Sequence, residues 1–120
     1  MKRPYAWNLM FSCFALAAAM LFAPQFSQAA SKDPAPVRVT IKDDSFHPAT
    51  LTIPAGTAVT FTNTDDDPHT VSAVSTLFDS HGLAQDDTFR YVFRKPGRYE
   101  YYCKLHPFMR GVIIVTGARS

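Results

Sequence analysis

Apolar and polar residues alternate in short runs along the chain from residue 37 onward. In the runs 37–42, 58–62 and 88–94 the side chains change character at almost every step, with Val92 the one apolar exception in the last run. Residues two apart share one face of a β-strand, so this period predicts strands with one buried side. Further strands are predicted at 50–53, 71–74, 98–102 and 112–115.

Turn residues separate these runs. A Pro-Ala-Gly turn stands at 54–56 and a Pro-Gly turn at 96–97, and the irregular stretch 75–87 is expected to be a loop. No stretch has a convincing helical period. Short strands with turns at this spacing predict an all-β fold, a β-sandwich or a small barrel.

The first residues have the pattern of a secretory signal. Lys2 and Arg3 precede an almost wholly apolar run, and small residues end the segment. We predict a signal peptide at 1–29, cleaved after Ala29 or Ala30, and therefore a periplasmic protein. Two alternatives stay open: the segment is retained as a membrane anchor, or Cys13 is a lipoprotein junction. A flexible lead-in at 30–36 and one domain at 37–120 would follow.

Composition narrows the function classes. The chain has 120 residues, enough for one domain, and its 47% hydrophobic content is too high for a disordered chain. The formal charge of +2 comes from Lys2 and Arg3, so the mature part is neutral overall. The mature part therefore lacks the excess of positive charge that a nucleic-acid-binding protein needs. We expect no stable membrane association after cleavage of the signal peptide.

One cysteine remains in the predicted mature chain, Cys103, so no internal disulfide is expected. A free thiol in an oxidising compartment is prone to oxidation unless its sulfur binds a ligand or takes part in a reaction. Cys103, His106 and Met109 follow a predicted strand at intervals of three residues. Thiolate, imidazole and thioether together suit copper that cycles between two oxidation states. Zinc has little use for a thioether, and a Cys–His nucleophile pair lacks an orienting partner, so both are weaker alternatives.

A mononuclear site with this loop needs a further donor from elsewhere. The mature chain offers His47, His69 and His81. His69 is the best candidate because it stands at a predicted loop-to-strand junction after Pro68, which stiffens the approach. We expect His47 and His81 to be solvated surface residues.

The chain resembles the cupredoxins, the type 1 blue copper proteins, and within them the amicyanin and plastocyanin branch. The matching segments extend over nearly all of 37–116: Phe46-His47-Pro48, Pro54-Ala55-Gly56, Val59 to Asn63, Pro68 to Val71, Pro96 to Tyr99, and Tyr102 to Gly111. The resemblance implies a Greek-key β-sandwich of about eight strands with one type 1 copper. It implies His69, Cys103 and His106 as planar ligands and Met109 as a long axial one. Where the family often has an asparagine that ties the ligand loops together, this chain has Thr70.

Four protein donors would leave no open position for a substrate, which favours single-electron transfer over catalysis. We therefore predict an electron carrier that is not an enzyme; a copper delivery or storage protein is the alternative. The resemblance suggests transient redox partners, with a dehydrogenase as electron donor and a c-type cytochrome as electron acceptor. We expect the protein itself to be a monomer. His106 would be the exit for electrons. Lys104 and Arg110 beside it, with the aspartates 65–67, form either a docking collar of charges or an ordinary mixed surface.

Overall fold

The computed structural model describes residues 23–24 and 35–118. Nearly all of the predicted signal peptide and most of the predicted lead-in lie outside these residues. Within the described part of the chain, no helix has the length and apolar character that crossing a membrane requires. The strands all belong to one compact unit, Lys32–Ser120.

Within residues 35–118, eight strands form two four-stranded sheets, and this confirms the predicted all-β Greek-key sandwich. One sheet has the order β2-β1-β4-β6 and the other the order β3-β8-β7-β5. The bounds are β1 Val37–Lys42, β2 Ser45–His47, β3 Thr50–Pro54, β4 Thr57–Asn63, β5 Ser72–Ala73, β6 Thr88–Phe93, β7 Gly97–Tyr102 and β8 Arg110–Thr116.

Alternation along the strands builds the core. In β4 every second residue is buried, including Val59 and Phe61. Across the sandwich, the ring of Tyr101 on β7 meets Phe61 edge to face, with ring centroids 5.4 Å apart, and Phe46 at 4.8 Å. These three aromatic rings join the two sheets, since they come from β2, β4 and β7.

Two short elements differ from the sequence prediction. Strand β2 was not predicted, because it has only three residues and only Phe46 among them is buried. The predicted strand 71–74 is reduced to Ser72–Ala73. Segments this short carry too few alternating positions for a period to show.

The stretch 75–87 contains no strand of either sheet, as predicted, but it is anchored in the core. Phe78 is buried and its ring packs 4.7 Å from that of Tyr91 and 5.7 Å from that of Phe93. Leu83 is also buried and pairs with His69 through a β-bridge. This loop therefore acts as a support for the residues that precede it.

Tyr101 packs so closely on Gly111 that a side chain added at Gly111 should destabilise the fold. A Cβ atom added at Gly111 would lie 2.3 Å from the Tyr101 hydroxyl oxygen, and the tyrosine ring is itself held by Phe46 and Phe61. We expect Gly111→Ala to lower the free energy of unfolding of the metal-free protein by about 1–3 kcal/mol, the usual cost of overpacking. Chemical denaturation followed by circular dichroism measures this.

Gly82→Ala is the matched control, because a Cβ there meets nothing within 4 Å. Unfolding of both variants at the same denaturant concentration would show that Tyr101 does not pack tightly on Gly111.

Candidate metal centre

Two loops meet where β4 and β7 end. The first loop, residues 64–71, follows β4, and the second loop, residues 103–109, connects β7 to β8. The backbone N–H of Thr70 in the first loop donates to Sγ of Cys103 in the second, at 3.3 Å. The first loop crosses from one sheet to the other, the second joins neighbouring strands of one sheet, and the two loops meet at the same site.

The second loop is closed on itself by backbone hydrogen bonds. The N–H of Met109 donates to the His106 carbonyl at 2.8 Å, and the N–H of Cys103 donates to the Met109 carbonyl at 3.2 Å. Cys103 and Met109 are buried, whereas His106 is half-buried. The loop thus directs its sulfur side chains inward and leaves one imidazole at the surface.

His69 is fixed from behind by the anchored stretch 75–87. Its N–H donates to the carbonyl of Leu83 at 3.1 Å, and its own carbonyl accepts the Leu83 N–H at 2.8 Å. Its side chain is completely buried. Because both backbone groups are paired, the main chain that carries the imidazole is held in place independently of any metal.

The structure brings three of the predicted ligands together. Sγ of Cys103 lies 3.8 Å from Nδ1 of His69 and 3.8 Å from Nδ1 of His106. Donors at bonds of about 2.0–2.3 Å around one ion in a trigonal plane would lie roughly 3.5–4 Å apart, so this spacing fits a shared metal. Met109 belongs to the same closed loop, and its side chain is buried.

The other two histidines stand apart from this group. His47 is exposed, with Nε2 3.1 Å from the carbonyl of Lys42. His81 is exposed in a backbone conformation of positive φ, 57°. Within residues 35–118, neither belongs to a cluster of side chains that could hold a metal ion.

The donor chemistry matches copper rather than zinc. The site offers one thiol and two imidazole nitrogens, and a thioether in the same loop. A thiolate with two imidazoles in a plane and a weak axial thioether is the donor set of blue copper sites. The hydrogen bond from Thr70 N–H to the sulfur would affect the reduction potential of a bound copper, because it stabilises negative charge on the thiolate.

Thr70 makes the link between loops that the resemblance assigns to asparagine. Its Oγ1 accepts the backbone N–H of Lys104 at 2.8 Å. Oγ1 also lies 3.0 Å from Oγ of Ser72, and that hydroxyl donates to Oδ1 of Asp79 at 3.2 Å. Thr70 is therefore the donor to Ser72, and a continuous chain of hydrogen bonds supports the shorter side chain.

Lys104 takes part in the same network at its other end. Its ammonium group pairs with Oδ2 of Asp79. This hydrogen bond lowers the pKa of Asp79 to about 2 and raises the pKa of Lys104. The positive charge that the sequence placed beside the ligand loop is thus paired within the protein.

Asp65 is the residue that sequence reasoning assigned only to the surface. Its Oδ2 lies 2.9 Å from Nε2 of His69, and its side chain is only 17% exposed. Burial raises the pKa of Asp65, but hydrogen bonds from the backbone N–H groups of Asp44 and Asp43 and from His69 outweigh this and lower it. Three consecutive aspartates in a loop gave no signal that one of them turns inward.

Comparison with known proteins identifies similar chains. Residues 12–115 match the Cupredoxin-like domain family. Amicyanin-alpha of Methylorubrum extorquens is 39% identical over 106 residues, which is 84% of this chain and 85% of that protein. A solved structure of a reduced amicyanin variant is 27% identical with a TM-score of 0.65, covering 68% of this chain and 82% of that one.

A larger enzyme also contains a similar fold. The Cu-containing nitrite reductase of Thermus scotoductus is 34% identical with a TM-score of 0.65 over 69% of this chain. The match covers only 23% of the reductase chain. The present chain therefore corresponds to one part of that enzyme.

The hydrogen bond between Thr70 and Lys104 joins the two loops and should stabilise the fold. Thr70→Val keeps the shape of the side chain but removes the acceptor for the Lys104 N–H. We expect the free energy of unfolding of the metal-free protein to fall by about 0.5–1.5 kcal/mol, the usual net contribution of one hydrogen bond. Denaturant unfolding measures it.

Thr70→Ser retains the hydroxyl and should lose much less. Thr116→Val removes a hydroxyl bond from an exposed residue and should change the free energy by less than about 0.5 kcal/mol. Equal stability of the Thr70→Val and Thr116→Val proteins would contradict the proposed link.

Proposed function

Because the chain belongs to the cupredoxin family, we propose that it is a periplasmic type 1 copper protein that carries single electrons between redox partners. The ligands of the proposed copper are His69, Cys103, His106 and Met109. The observation that carries the proposal is the convergence of Cys103 Sγ with Nδ1 of His69 and of His106, at 3.8 Å each, in a site from which only His106 reaches the surface.

The enclosure of the donors favours electron transfer over catalysis. Cys103 and His69 have no exposed surface, and Met109 is 2% exposed. An ion held by all four residues could change its charge but could not bind a further substrate. When bound, copper supplies the one-electron couple, and the protein's part is to hold the donors in an arrangement that suits both oxidation states.

The surface around His106 supports this reaction. Leu105 is 54% exposed and Phe108 is 71% exposed, and the Phe108 ring stands edge-on 6.0 Å from the His106 imidazole. We call Leu105, His106 and Phe108 the apolar patch. Small apolar contacts suit the brief encounters of redox proteins, since such complexes bury little surface and separate quickly.

Partners and location follow from the same proposal. The pattern of residues 1–29 supports export to the periplasm. We propose a dehydrogenase as the electron donor and a c-type cytochrome as the acceptor, as the resemblance of the ligand loops to those of amicyanins suggests. The apolar patch is the surface that either partner would meet.

Copper delivery or storage is the second candidate function. Export and the family's use of copper would suit it, but a delivery site must release its ion readily. Burial of Cys103 and His69 would slow the exchange of a bound copper ion, and backbone hydrogen bonds hold both residues in place. A reversible one-electron couple that survives many cycles without copper loss would separate the carrier from the delivery protein.

Substitution of the ligands tests the proposed site. Cys103→Ser should abolish the intense blue absorption of the oxidised protein, because that colour requires thiolate bonded to copper. His69→Ala should lose the type 1 spectrum in the absence of added imidazole. Visible and electron paramagnetic resonance spectra of the copper-loaded proteins measure both changes.

His47→Ala and His81→Ala are the controls, because both histidines are exposed and lie outside the cluster. Their spectra should match that of the wild type. A blue Cys103→Ser protein would show that the ligands are misassigned.

Electron self-exchange tests the apolar patch without requiring the natural partner. Phe108→Lys places a positive charge on the patch, so two copies that meet there repel each other. We expect the self-exchange rate to fall about tenfold at low ionic strength and to recover partly as salt screens the charge. Nuclear magnetic resonance line broadening in mixtures of reduced and oxidised protein measures this rate.

Leu77→Lys is a matched control. Leu77 is also half exposed, at 52%, but it lines a groove with Tyr91 and Lys95 and is not part of the apolar patch. If both variants slow the exchange equally, electrons do not leave through the apolar patch.

A further inference from the structure

We propose that Asp65 is a positioning residue of the copper site, which fixes the tautomer of His69 through a hydrogen bond and lowers the reduction potential. The inference rests on the proposed function, because it concerns copper bound at His69. It concerns a side chain outside the four proposed ligands, in a loop that the sequence marks only as acidic.

The two ring nitrogens of His69 face different groups. Nδ1 faces Sγ of Cys103, and Nε2 lies 2.9 Å from Oδ2 of Asp65. A neutral imidazole carries one proton, and the nitrogen that binds a metal cannot carry it. If Nδ1 binds the metal, Nε2 must keep the proton and donate a hydrogen bond to the carboxylate. The carboxylate thus selects the tautomer that leaves Nδ1 free.

The Asp65 carboxylate is held in place by groups other than the histidine. Oδ1 accepts the N–H of Asp43 at 2.8 Å, and Oδ2 accepts the N–H of Asp44 at 3.1 Å. The N–H of Asp65 donates to Oδ1 of Asn63 at 2.9 Å, and Asn63 is fully buried. These bonds orient the acceptor before His69 binds anything, so the carboxylate is preorganised.

The hydrogen bond acts unequally on the two oxidation states. A carboxylate acceptor makes the imidazole a stronger donor, because it stabilises the positive charge that builds on the ring. Cu(II) draws more charge from the ring than Cu(I), so the bond favours the oxidised state. Partners of metal-bound histidines change metal affinity by about 10–100-fold when they are lost. A tenfold change in the ratio of Cu(II) to Cu(I) affinity corresponds to about 59 mV for one electron.

A variant of Asp66 distinguishes the effect of the Asp65–His69 hydrogen bond from the general effect of a nearby negative charge. It lies in the same loop, is exposed, and accepts a hydrogen bond from Nε2 of Gln85 at 2.8 Å. Asp66→Asn removes the same charge as Asp65→Asn without touching His69. Both asparagine variants keep the size of the side chain and an oxygen acceptor.

The experiment measures the reduction potential of the copper-loaded wild-type, Asp65→Asn and Asp66→Asn proteins by protein-film voltammetry at pH 7. We expect Asp65→Asn to shift the ratio of Cu(II) to Cu(I) affinity at least tenfold toward Cu(I), a rise of about 59 mV or more. Asp66→Asn should shift this ratio less than threefold. Equal shifts in the two variants would overturn the proposal.

Nuclear magnetic resonance of the reduced wild-type protein gives a readout that needs no variant. The Nε2 proton of His69 should appear as a slowly exchanging signal shifted to high frequency, and it should move in Asp65→Asn but not in Asp66→Asn. An unprotonated Nε2 in the wild type overturns the inference even if Asp65→Asn fails to fold. A wild-type protein without a type 1 spectrum overturns the proposed function as well.

Discussion

The site depends on holding an imidazole and a thiol, which come from two different loops, 3.8 Å apart inside the protein. Such a pair gains little from its own contact, so the surrounding structure must keep it together. Phe46, Phe61 and Tyr101 join the sheets, and Thr70 then joins the loops that extend from them. The core and the site are consecutive parts of one arrangement, because Cys103 follows Tyr101 after a single intervening residue.

The proposed ligands comprise three buried residues and one at the surface, His106. His69 is restrained through Leu83 on its backbone and Asp65 on its ring, whereas the backbone of His106 is bonded within its own loop to Met109. Restraint of the buried residues would limit rearrangement when the charge of a bound metal changes. His106 remains accessible to other molecules. Both properties suit rapid transfer of one electron.

Much of this arrangement could be predicted from the sequence. The alternation of side chains predicted β1, β4 and β6, and the Cys-His-Met spacing together with the resemblance predicted the cupredoxin family, which the comparisons confirm. The bonds between loops could not be predicted, because they join residues far apart in the chain, such as Thr70 and Lys104. Asp65 was also missed, since its inward turn depends on the backbone of residues 43–44, where both φ angles are positive.

The internal pairing of charges changes what the surface offers to a partner. Lys104 is bound to Asp79, and Asp65 is bound to His69, so two residues that the sequence suggested for a docking collar stabilise the loops instead. Arg110 remains exposed near the second loop. A paired charge has a weak field at a distance, because its partner cancels most of it. Under the proposed function, recognition near His106 would therefore depend mainly on the shape and apolar character of Leu105 and Phe108. Such contacts can accommodate more than one partner in turn.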